Sequence, residues 1–442
     1  MRRRRVVITG MGAITPLGHD VEELWRRLLS GDSGVGPVTR FDARTFSTNF
    51  AAEVRGFDLR EHVPDAPDRA DVSVSTGFAL AAAEQAVRQA RMVPGAIEPR
   101  RFGMYLGAGE GSLDFDNFVS ANLGGWDEAA RTVDTARWAE GALSKLVGVR
   151  ELEQEPNMPL CHLGSRFGCR GPSMNCMTAC AASTQAVGEA YEIIRRGDAD
   201  AMLTGGAHSM IHPLGMTGFI RLTAMSTRRD SPQTAARPFD STRDGFVMGE
   251  GAGILVLESL DSALARGVKP LAEVVGFGST ADAFRITDIQ SDGEGALRAM
   301  GAALRQAGIS PVERGGDGRP PVHYVSAHGT GTQENDSIET LAVKRLFGSL
   351  APEVPFSSVK SMLGHLIQAA GAVELITCIK AIETGFIPPT MNLHSPDPEC
   401  DLDYVPNAAR DLNPAGGVDV CLSNSFGFGG QNDTVCVRRY RA

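Results

Sequence analysis

The sequence predicts an α/β protein in which buried central strands alternate with helices. Three observations predict this class: short apolar runs end in glycine, alanine-rich helical patterns separate those runs, and the composition is that of a globular protein. The chain has 442 residues, of which 42% are hydrophobic and 22% are charged, enough for two domains or two halves of one large core. Regular alternation of strands with helices favours a sheet that is covered on both faces.

Seven apolar runs have the character of strands, because they are short and bounded by glycine or other turn residues. In chain order they are RVVITGMG from Arg5, DADAMLTGGA from Asp198, GAGILVLES from Gly251, LAEVVGFGS from Leu271, VHYVSAHG from Val322, VDVCLSNSFGFGG from Val418 and TVCVRRY from Thr434.

Four alanine-rich segments have helical character, and their alanine content predicts burial on more than one side. They are VSVSTGFALAAAEQAVRQA from Val72, AASTQAVGEAYEIIRRG from Ala181, EGALRAMGAALRQAG from Glu294 and AAGAVELITCIKAIETG from Ala369.

Two blocks of strands and helices divide near residue 260. This division predicts an N-terminal half over residues 1–260 and a C-terminal half over residues 261–442. Each half has a glycine-rich strand end followed by a helix, around Cys180 in the first half and around His328 and His365 in the second. Because no low-complexity linker separates the two blocks, we expect two similar halves that pack against each other.

Two stretches depart from the alternation. The N-terminus, MRRRRVVITGMG, has the arginines of a signal peptide, but its apolar run is short, broken by glycine and without a cleavage site, so we interpret it as a strand with a basic leader. Residues 112–158 are more polar, and we expect them to form an irregular excursion that covers the site of the first half.

Net charge and hydropathy exclude two classes of function. The net charge of −10 argues against a nucleic-acid footprint over the whole chain. No apolar stretch reaches the roughly 18 residues that a membrane span needs. We therefore expect a cytoplasmic protein with neither nucleic acid nor membrane as a partner.

The cysteine pattern indicates buried thiols in a reducing compartment. No two cysteines have CxxC spacing, so the sequence predicts neither a zinc site nor another metal site. Most of them lie in apolar segments, where a thiol behaves as a small hydrophobic group. The eight are Cys161, Cys169, Cys176, Cys180, Cys378, Cys400, Cys421 and Cys436.

Cys180 lies where strand character changes to helix character. The segment MNCMTAC, which ends at Cys180, has strand character, and the segment after it is helical. At a helix N-terminus the free N–H groups and the macrodipole favour a thiolate, and the alanines beside Cys180 leave room for a substrate. Cys176 lies within the strand and is expected to be a packed thiol. From position alone, a nucleophile and a core cysteine remain equal alternatives for Cys180.

Two histidines favour the interpretation of Cys180 as a nucleophile. VSAHGTGTQENDSIET places His328 at a strand end, and SVKSMLGHLIQAAGAVELI places His365 near a helix start, five residues after Lys360. Two histidines in separate glycine-rich turns, together with Cys180, form the Cys/His arrangement of nucleophilic catalysis. The remaining histidines are expected to be surface or packed residues, namely His19, His62, His162, His208, His212, His323 and His394.

Six segments extend this pattern over almost the whole chain. They are VVITGMGAITPLG, GPSMNCMTACAAS, RPFDSTRDGFVMGEGAGILVLE, AHGTGTQENDSIE, SVKSMLGHLIQAAGAVE and NSFGFGGQND. In content and order they resemble the elongating β-ketoacyl-acyl carrier protein synthases of the thiolase-like superfamily. The resemblance implies two similar halves in a layered αβαβα core, and decarboxylative Claisen condensation of an acyl chain with malonyl-acyl carrier protein.

The resemblance also implies roles for individual residues. Cys180 takes the acyl chain as a thioester, and His328 and His365 donate hydrogen bonds to the malonyl thioester carbonyl as enolate charge develops. Lys360 supports the His365 side of the site, together with Glu374.

Further roles follow from the same resemblance. The backbone N–H groups of Cys180 and Phe428 form an oxyanion hole, and Thr330 and Thr332 line a phosphopantetheine channel. A mobile gate, able to change backbone conformation through its glycines, consists of Gly427, Phe428, Gly429 and Gly430.

The implied partner is an acyl carrier protein, which carries the substrate on its phosphopantetheine, and no other cofactor is implied. The resemblance also implies a dimer through a strand of the first half, either a homodimer or a heterodimer with a chain-length-factor homologue. Acyl chain length and starter unit remain open at this point.

Several positions depart from the family pattern. Gln368 stands where the family usually has a small residue, and GGQND replaces the commoner GGTNG. Around Arg69, where such enzymes often cluster basic residues for carrier protein docking, the sequence reads PDAPDRADVS with three aspartates, which puts docking there in doubt. Arginine supplies 38 of the 43 basic residues, as in GC-rich coding DNA, and with these departures favours a type II polyketide or specialised fatty-acyl system.

Two rival classes of protein remain. A non-catalytic chain-length-factor-like subunit would lack the nucleophile, so Cys180 argues against it. A non-decarboxylating thiolase-like acyltransferase would use a second cysteine as base, so the pair His328 and His365 argues against it.

Overall fold

The fold is known from a computed structural model that describes residues 3–65, 72–109 and 114–442. The described strands are β1 (Val6–Ile14), β2 (Gly36–Pro37), β3 (Phe50–Ala51), β4 (Phe102–Ala108), β5 (Trp126–Asp127), β6 (Thr132–Val133), β7 (Ser173–Cys176), β8 (Ala201–His208), β9 (Gly251–Ser259), β10 (Ala272–Ala281), β11 (Tyr324–Ser326), β12 (Phe356–Ser357), β13 (Phe386–Ile387), β14 (Arg410–Asp411), β15 (Val420–Gly427) and β16 (Gln431–Arg438).

The helices in the described part of the chain are α1 (Val21–Ser30), α2 (Leu59–His62), α3 (Val74–Gln89), α4 (Phe115–Gly125), α5 (Thr135–Lys145), α6 (Gly148–Leu152), α7 (Met158–Phe167), α8 (Ala182–Arg196), α9 (Pro213–Arg221), α10 (Leu260–Ala265), α11 (Glu294–Ala307), α12 (Gln333–Phe347), α13 (Lys360–Leu363) and α14 (Ala370–Thr384). None of these helices combines the length and the apolar character needed to cross a bilayer.

The main sheet repeats one pairing pattern twice. Its ten strands lie in the order β12-β11-β15-β16-β10-β1-β9-β8-β4-β7. From β1 outward the pairs are antiparallel, antiparallel, parallel and parallel, through β9, β8, β4 and β7. From β10 outward the same sequence of pairs runs through β16, β15, β11 and β12. The two sets meet where the first residues of β1 pair with the first residues of β10.

Glycines in the two innermost strands let a helix lie directly on the backbone. A Cβ atom at Gly10 of β1 would stand 2.0 Å from the carbonyl oxygen of Ala86 on α3. A Cβ atom at Gly276 of β10 would stand 2.0 Å from the carbonyl oxygen of Ala303 on α11. The same close approach therefore occurs in both sets of strands, and it accounts for part of the high glycine content.

Helices form three layers around the strands. α3 and α11 cover the outer faces of the two sets of strands, and α8 and α14 pack against each other between them. α8 contacts strands of both sets, including β4, β8 and β16, and α14 contacts β9 and β15. α14 is buried along almost its whole length, as its alanine-rich sequence predicted. The resulting order of layers is the αβαβα core expected from the resemblance.

Residues 114–158 differ from the prediction of an irregular excursion. They form the helices α4, α5 and α6 and the two-stranded ribbon β5–β6. Asp134 caps α5 by accepting hydrogen bonds from the N–H groups of Ala136 and Arg137. The polar composition reflects helices with exposed faces, which is why the sequence pattern was misinterpreted as irregular. Arg69 and its neighbours lie outside the described residues.

Candidate active site

Cys180 lies at the start of the buried helix α8. A single 3-10 turn, Ala179–Ala181, connects the segment after β7 to this helix. Ala179 adopts φ +46°, which reverses the chain direction sharply before the helix begins. The turn holds the Cys180 side chain in the interior, where the residue is only 6% exposed. This is the strand-to-helix position that the sequence predicted.

The surroundings of Cys180 favour the neutral thiol. Burial raises the pKa of the Cys180 thiol to about 11. The charge of Lys360 and the backbone N–H groups of Phe428 and Cys180 lower this pKa, but they offset burial only in part. The N–H groups at the turn thus favour the thiolate, as the sequence predicted, but desolvation is the larger effect and favours the neutral thiol.

His328 and His365 converge on Cys180 from the C-terminal half. His328 follows the end of β11, and His365 lies between α13 and the 3-10 turn Ile367–Ala369. The Cys180 sulfur and one ring nitrogen of each histidine lie within 4.8 Å of one another, and all three residues are buried. The two rings stand edge to face with centroids 5.5 Å apart. Among the described residues, this is the one Cys, His, Asp or Glu cluster with spacing suited to a metal ion.

Hydrogen bonds determine the tautomer of both histidines. The Lys360 ammonium donates to Nδ1 of His328 at 3.4 Å, and the Ile367 N–H donates to Nδ1 of His365 at 3.2 Å. Burial, with the charge of Lys360, lowers the pKa of His328 and of His365 well below the usual histidine range. Each neutral ring therefore carries its proton on Nε2, and both Nε2–H groups are available as donors.

Lys360 acts on His365 through its charge, as expected, but its hydrogen bonds go to His328. Its ammonium donates to the backbone oxygen of His328 at 2.6 Å and to a carboxylate oxygen of Glu374. No hydrogen bond joins the described atoms of Lys360 and His365. Lys360 begins α13 just after β12, the strand paired with β11, so its side chain reaches the His328 loop that follows β11. Glu374 lies in the position expected for its role beside Lys360.

A buried carboxylate that the sequence analysis missed holds the His328 loop. Glu339 on α12 accepts hydrogen bonds from the N–H groups of His328 at 2.9 Å and Gly329 at 2.8 Å. Asn424 on β15 also donates to it. Burial raises the pKa of Glu339 to about 7. No sequence signal distinguishes Glu339 from the other acidic residues of its polar segment.

A cavity of about 330 Å³ leads to these side chains. Thr330 and Thr332 line it with their hydroxyl groups 3.0 Å apart, and Phe428 lines it from the turn between β15 and β16. Further lining residues, to which the sequence analysis gave no role, come from loops and from α9. They include Phe219, Leu222, Phe246 and Asp288.

Hydrogen bonds to the backbone of its glycines hold the turn around Phe428. Gly429 and Gly430 have φ of +87° and +74°, values that favour glycine. The Gly429 N–H donates to the Ile286 carbonyl at 2.7 Å, and the Gly430 N–H donates to the Gly427 carbonyl at 3.1 Å. The Gly430 carbonyl also accepts from the Asp282 N–H at 2.9 Å and from the Asn432 amide at 3.2 Å.

Cys176 differs from Cys180 in position and in surroundings. It lies half-buried on β7, and its thiol donates to the Ala182 carbonyl at 3.2 Å. Burial raises its pKa to about 12. No backbone N–H of the Phe428 turn points to it among the described contacts, so Cys176 is a packed thiol.

Comparison with known proteins identifies the family. The chain matches the N-terminal domain of beta-ketoacyl synthases over residues 3–263 and the C-terminal domain over residues 271–394. It is 40% identical to the 3-oxoacyl-acyl-carrier-protein synthase 2 of Synechocystis sp., over 100% of this chain and 99% of that protein.

Solved structures agree over the same length. The ishigamide ketosynthase/chain length factor has a TM-score of 0.86 and 34% identity, and covers 99% of this chain and 100% of its own. A type II polyketide ketosynthase in complex with its acyl-carrier protein, AntDE:AntF, has a TM-score of 0.84 and 32% identity with the same coverage. The chain belongs to the beta-ketoacyl synthase family.

Proposed function

We propose that this protein is an elongating β-ketoacyl-acyl carrier protein synthase. It condenses an acyl chain held on Cys180 with malonyl-acyl carrier protein, in type II polyketide or fatty acid biosynthesis. The observation that carries the proposal is the convergence of the Cys180 thiol and one ring nitrogen of each of two neutral histidines within 4.8 Å, in the lining of one cavity.

The first step is transfer of the acyl chain to Cys180. The sulfur attacks the thioester carbonyl of the acyl carrier, the bond to the pantetheine sulfur breaks, and the thiol proton of Cys180 passes to that leaving sulfur. Because burial raises the pKa of Cys180 to about 11, bond formation and proton loss have to be closely linked. The backbone N–H groups of Cys180 and Phe428 stabilise the negative charge on the carbonyl oxygen.

The second step is decarboxylation of the malonyl thioester. The bond to the carboxylate breaks, carbon dioxide leaves, and the electron pair forms an enolate. His328 and His365 donate their Nε2–H groups to the enolate oxygen, and neutral rings suit this role because each keeps one fixed donor. No external base is needed, because loss of carbon dioxide leaves the electron pair on the α-carbon and no C–H bond has to be deprotonated.

The third step forms the new carbon–carbon bond. The enolate carbon attacks the thioester carbonyl on Cys180, and the same two backbone N–H groups hold the tetrahedral oxyanion. Collapse of this intermediate expels Cys180 as a thiolate and leaves a β-ketoacyl chain on the carrier. A proton from solvent restores the thiol.

The remaining residues position these groups. Lys360, with Glu374, orients His328, and Glu339 holds the loop that carries it. Thr330 and Thr332 line the phosphopantetheine channel. We assign the gate at its inner end to the segment Gly427, Phe428, Gly429 and Gly430.

The partner is an acyl carrier protein that delivers its cargo on phosphopantetheine, and the reaction uses no other cofactor and no metal. The protein forms a homodimer or a heterodimer with a chain-length-factor homologue, and one structural neighbour is itself named as a ketosynthase/chain length factor. The chain divides near residue 260, a proposal supported by the strand pairing that repeats from β1 and from β10.

The two rival functions fit the site less well. A chain-length-factor-like subunit has no use for a buried thiol beside two oriented imidazoles. A non-decarboxylating acyltransferase requires a base at the carbon to be deprotonated, and here Nδ1 of each histidine already accepts a hydrogen bond, which leaves each ring only a donor. The geometry supports decarboxylation over both alternatives.

The test uses intact-mass measurement on the purified protein with acyl-carrier protein, followed by malonyl-carrier protein. We expect the mass of one acyl chain on Cys180, then its loss as a β-ketoacyl-carrier protein and carbon dioxide appear. An acyl-enzyme that returns its chain unchanged, without release of carbon dioxide, would contradict the proposed function.

A further inference from the structure

Asn335 extends the polar wall of the cavity that holds Cys180. It lines this cavity, lies in the first turn of α12 and is 4% exposed. Its N–H donates to the hydroxyl oxygen of Thr332 at 3.4 Å, and that hydroxyl lies 3.0 Å from the hydroxyl of Thr330. Asn335 therefore continues the row of polar side chains that the two threonines begin after His328.

Hydrogen bonds determine which way the side-chain amide of Asn335 points. Its nitrogen donates to Oδ1 of Asp336 at 3.1 Å. That oxygen is already an acceptor, because the N–H of Gly331 donates to it at 3.2 Å. The reversed amide would bring two acceptors together, so the amide nitrogen faces Asp336 and the amide oxygen faces away from it.

The amide oxygen of Asn335 is a buried acceptor to which no group in the described chain donates. Among the described residues that line the cavity, only His365 and Asn335 have a buried side-chain polar atom without a partner. Nε2 of His365 is the donor that the proposed reaction uses for the enolate oxygen. A buried acceptor without a donor is destabilising, so Oδ1 of Asn335 indicates a second contact with the same substrate.

The charge of the cavity restricts the kind of donor that it receives. Three carboxyl groups line it, those of Asp244, Asp288 and Glu334, and its described lining residues include neither lysine nor arginine. Carboxylates repel a phosphate and favour a ligand that presents N–H groups. The matching ligand is therefore an uncharged chain that carries an amide N–H.

We propose that Oδ1 of Asn335 accepts a hydrogen bond from an amide N–H of the pantetheine arm that delivers the substrate. Between its sulfur and its phosphate this arm is uncharged, and it contains two secondary amides with one N–H each. The phosphate stays outside the acidic cavity. This inference rests on the proposed function, and it adds a binding residue to the channel lined by Thr330 and Thr332.

The experiment measures the second-order rate constant for acylation of Cys180 by intact mass, with three thioesters of one acyl chain. Their thiols are pantetheine with two amides, N-acetylcysteamine with one amide, and butanethiol with none. In Asn335→Ala we expect the rate constant with the pantetheine thioester to fall about tenfold, the effect of losing one hydrogen bond and leaving its donor unpaired. The rate constant with the butanethiol thioester should stay close to the wild-type value.

The N-acetylcysteamine thioester identifies which amide makes the contact. A loss with this thioester as well assigns the contact to the amide nearer the sulfur. A loss with the pantetheine thioester alone assigns it to the outer amide, and both results support the proposal. Ser337→Ala is the matched control and should keep all three rates, since its hydroxyl contacts the carbonyls of Gln333 and Glu334 on the same helix.

A purely structural role of Asn335 would slow all three thioesters by the same factor, and that result would overturn this inference alone. Unchanged rates with all three would overturn it as well. Asn335→Gly removes the same amide and provides the measurement if the alanine variant does not fold. If no thioester acylates Cys180 in the wild-type protein, the proposed function fails, and this inference fails with it.

Discussion

The turn that carries Cys180 and the turn that carries Gln368 share a backbone conformation, but one presents a thiol and the other an amide side chain. Each is a three-residue 3-10 turn, each begins with a residue at positive φ, +46° at Ala179 and +45° at Ile367, and each leads into a 15-residue helix. Both helices, α8 and α14, end at a left-handed glycine. Cys180 and Gln368 occupy the middle position of the two turns.

The surroundings of the two turns explain their different uses. Near the first, the buried polar contact on α8 is a hydroxyl pair between Thr184 and Ser425. Near the second lie the ion pair of Lys360 with Glu374 and the ring of His365. The first turn therefore presents the nucleophile, while the second lies beside the charged and ring groups that face that nucleophile. The comparison shows that the repeated backbone determines where a side chain is placed, and that the surrounding side chains determine what reaction that side chain can take part in.

The largest effect comes from removing the nucleophile. Cys180→Ala should reduce condensation by about 10⁴-fold or more, because no other thiol reaches the oxyanion donors. Cys176→Ala is the matched control and should stay close to the wild-type rate, since Cys176 contacts a helix carbonyl rather than the cavity. The measurement is β-ketoacyl product formed per unit time. Equal losses in the two variants would mean that the position in the turn does not select the nucleophile.

Variants of the two histidines should slow decarboxylation more than acylation of Cys180. His328→Ala and His365→Ala should each slow release of carbon dioxide from malonyl-carrier protein by about 10²–10³-fold, the usual cost of one oxyanion donor. Acylation of Cys180 should fall less, because its backbone N–H donors remain. Paired assays of acyl-enzyme mass and carbon dioxide release test this. Release at the wild-type rate with failed acylation would assign both histidines to the transfer step.

Much of the fold was predictable from the sequence, because apolar runs and alanine-rich helices mark the central elements. β4 was missed for a physical reason. Its glycines weaken the strand pattern. Position 107 nevertheless requires glycine, because a Cβ atom there would stand 2.5 Å from the backbone nitrogen of Ser183 on α8. A close helix–strand approach thus removes the apolar signal that reveals a strand.

The site was predictable in its members but not in all of its contacts. Cys180, His328 and His365 stand in recognisable motifs, and the structure brings them together. The pairing of Lys360 with His328 rather than His365 depends on how α13 lies against β11, which no local pattern records. The thiol state of Cys180 depends on burial by segments distant in sequence, and this effect outweighs the helix position that the sequence shows.

The raised pKa of the buried carboxyl of Glu339 predicts how the stability of the protein changes with pH. Its folded pKa of about 7 lies above the usual glutamate value, so it contributes stability below about pH 4.5 that is lost as pH rises through 7. Relative to Glu339→Gln, the wild-type free energy of unfolding should decrease by about 3 kcal/mol between pH 4.5 and pH 8. Denaturant unfolding at both pH values measures this. Glu334→Gln, on the exposed face of α12, should follow the wild-type profile, and parallel profiles for all three proteins would contradict the assignment.

The smallest effect concerns the backbone shared by the two turns. Ala179 at φ +46° occupies a region that costs an L-residue roughly 1–2 kcal/mol, whereas glycine adopts it freely but loses about 0.5–1 kcal/mol in unfolded-state entropy. Ala179→Gly should therefore stabilise the protein by at most about 1 kcal/mol. Ala181→Gly, two residues later with right-handed backbone, should destabilise it by about 1–2 kcal/mol, because the entropy loss is joined by the loss of a fully buried methyl group. Opposite signs in chemical denaturation would show that the reversal at Ala179 is strained, and equal destabilisation would show that the first turn carries no strain for glycine to relieve.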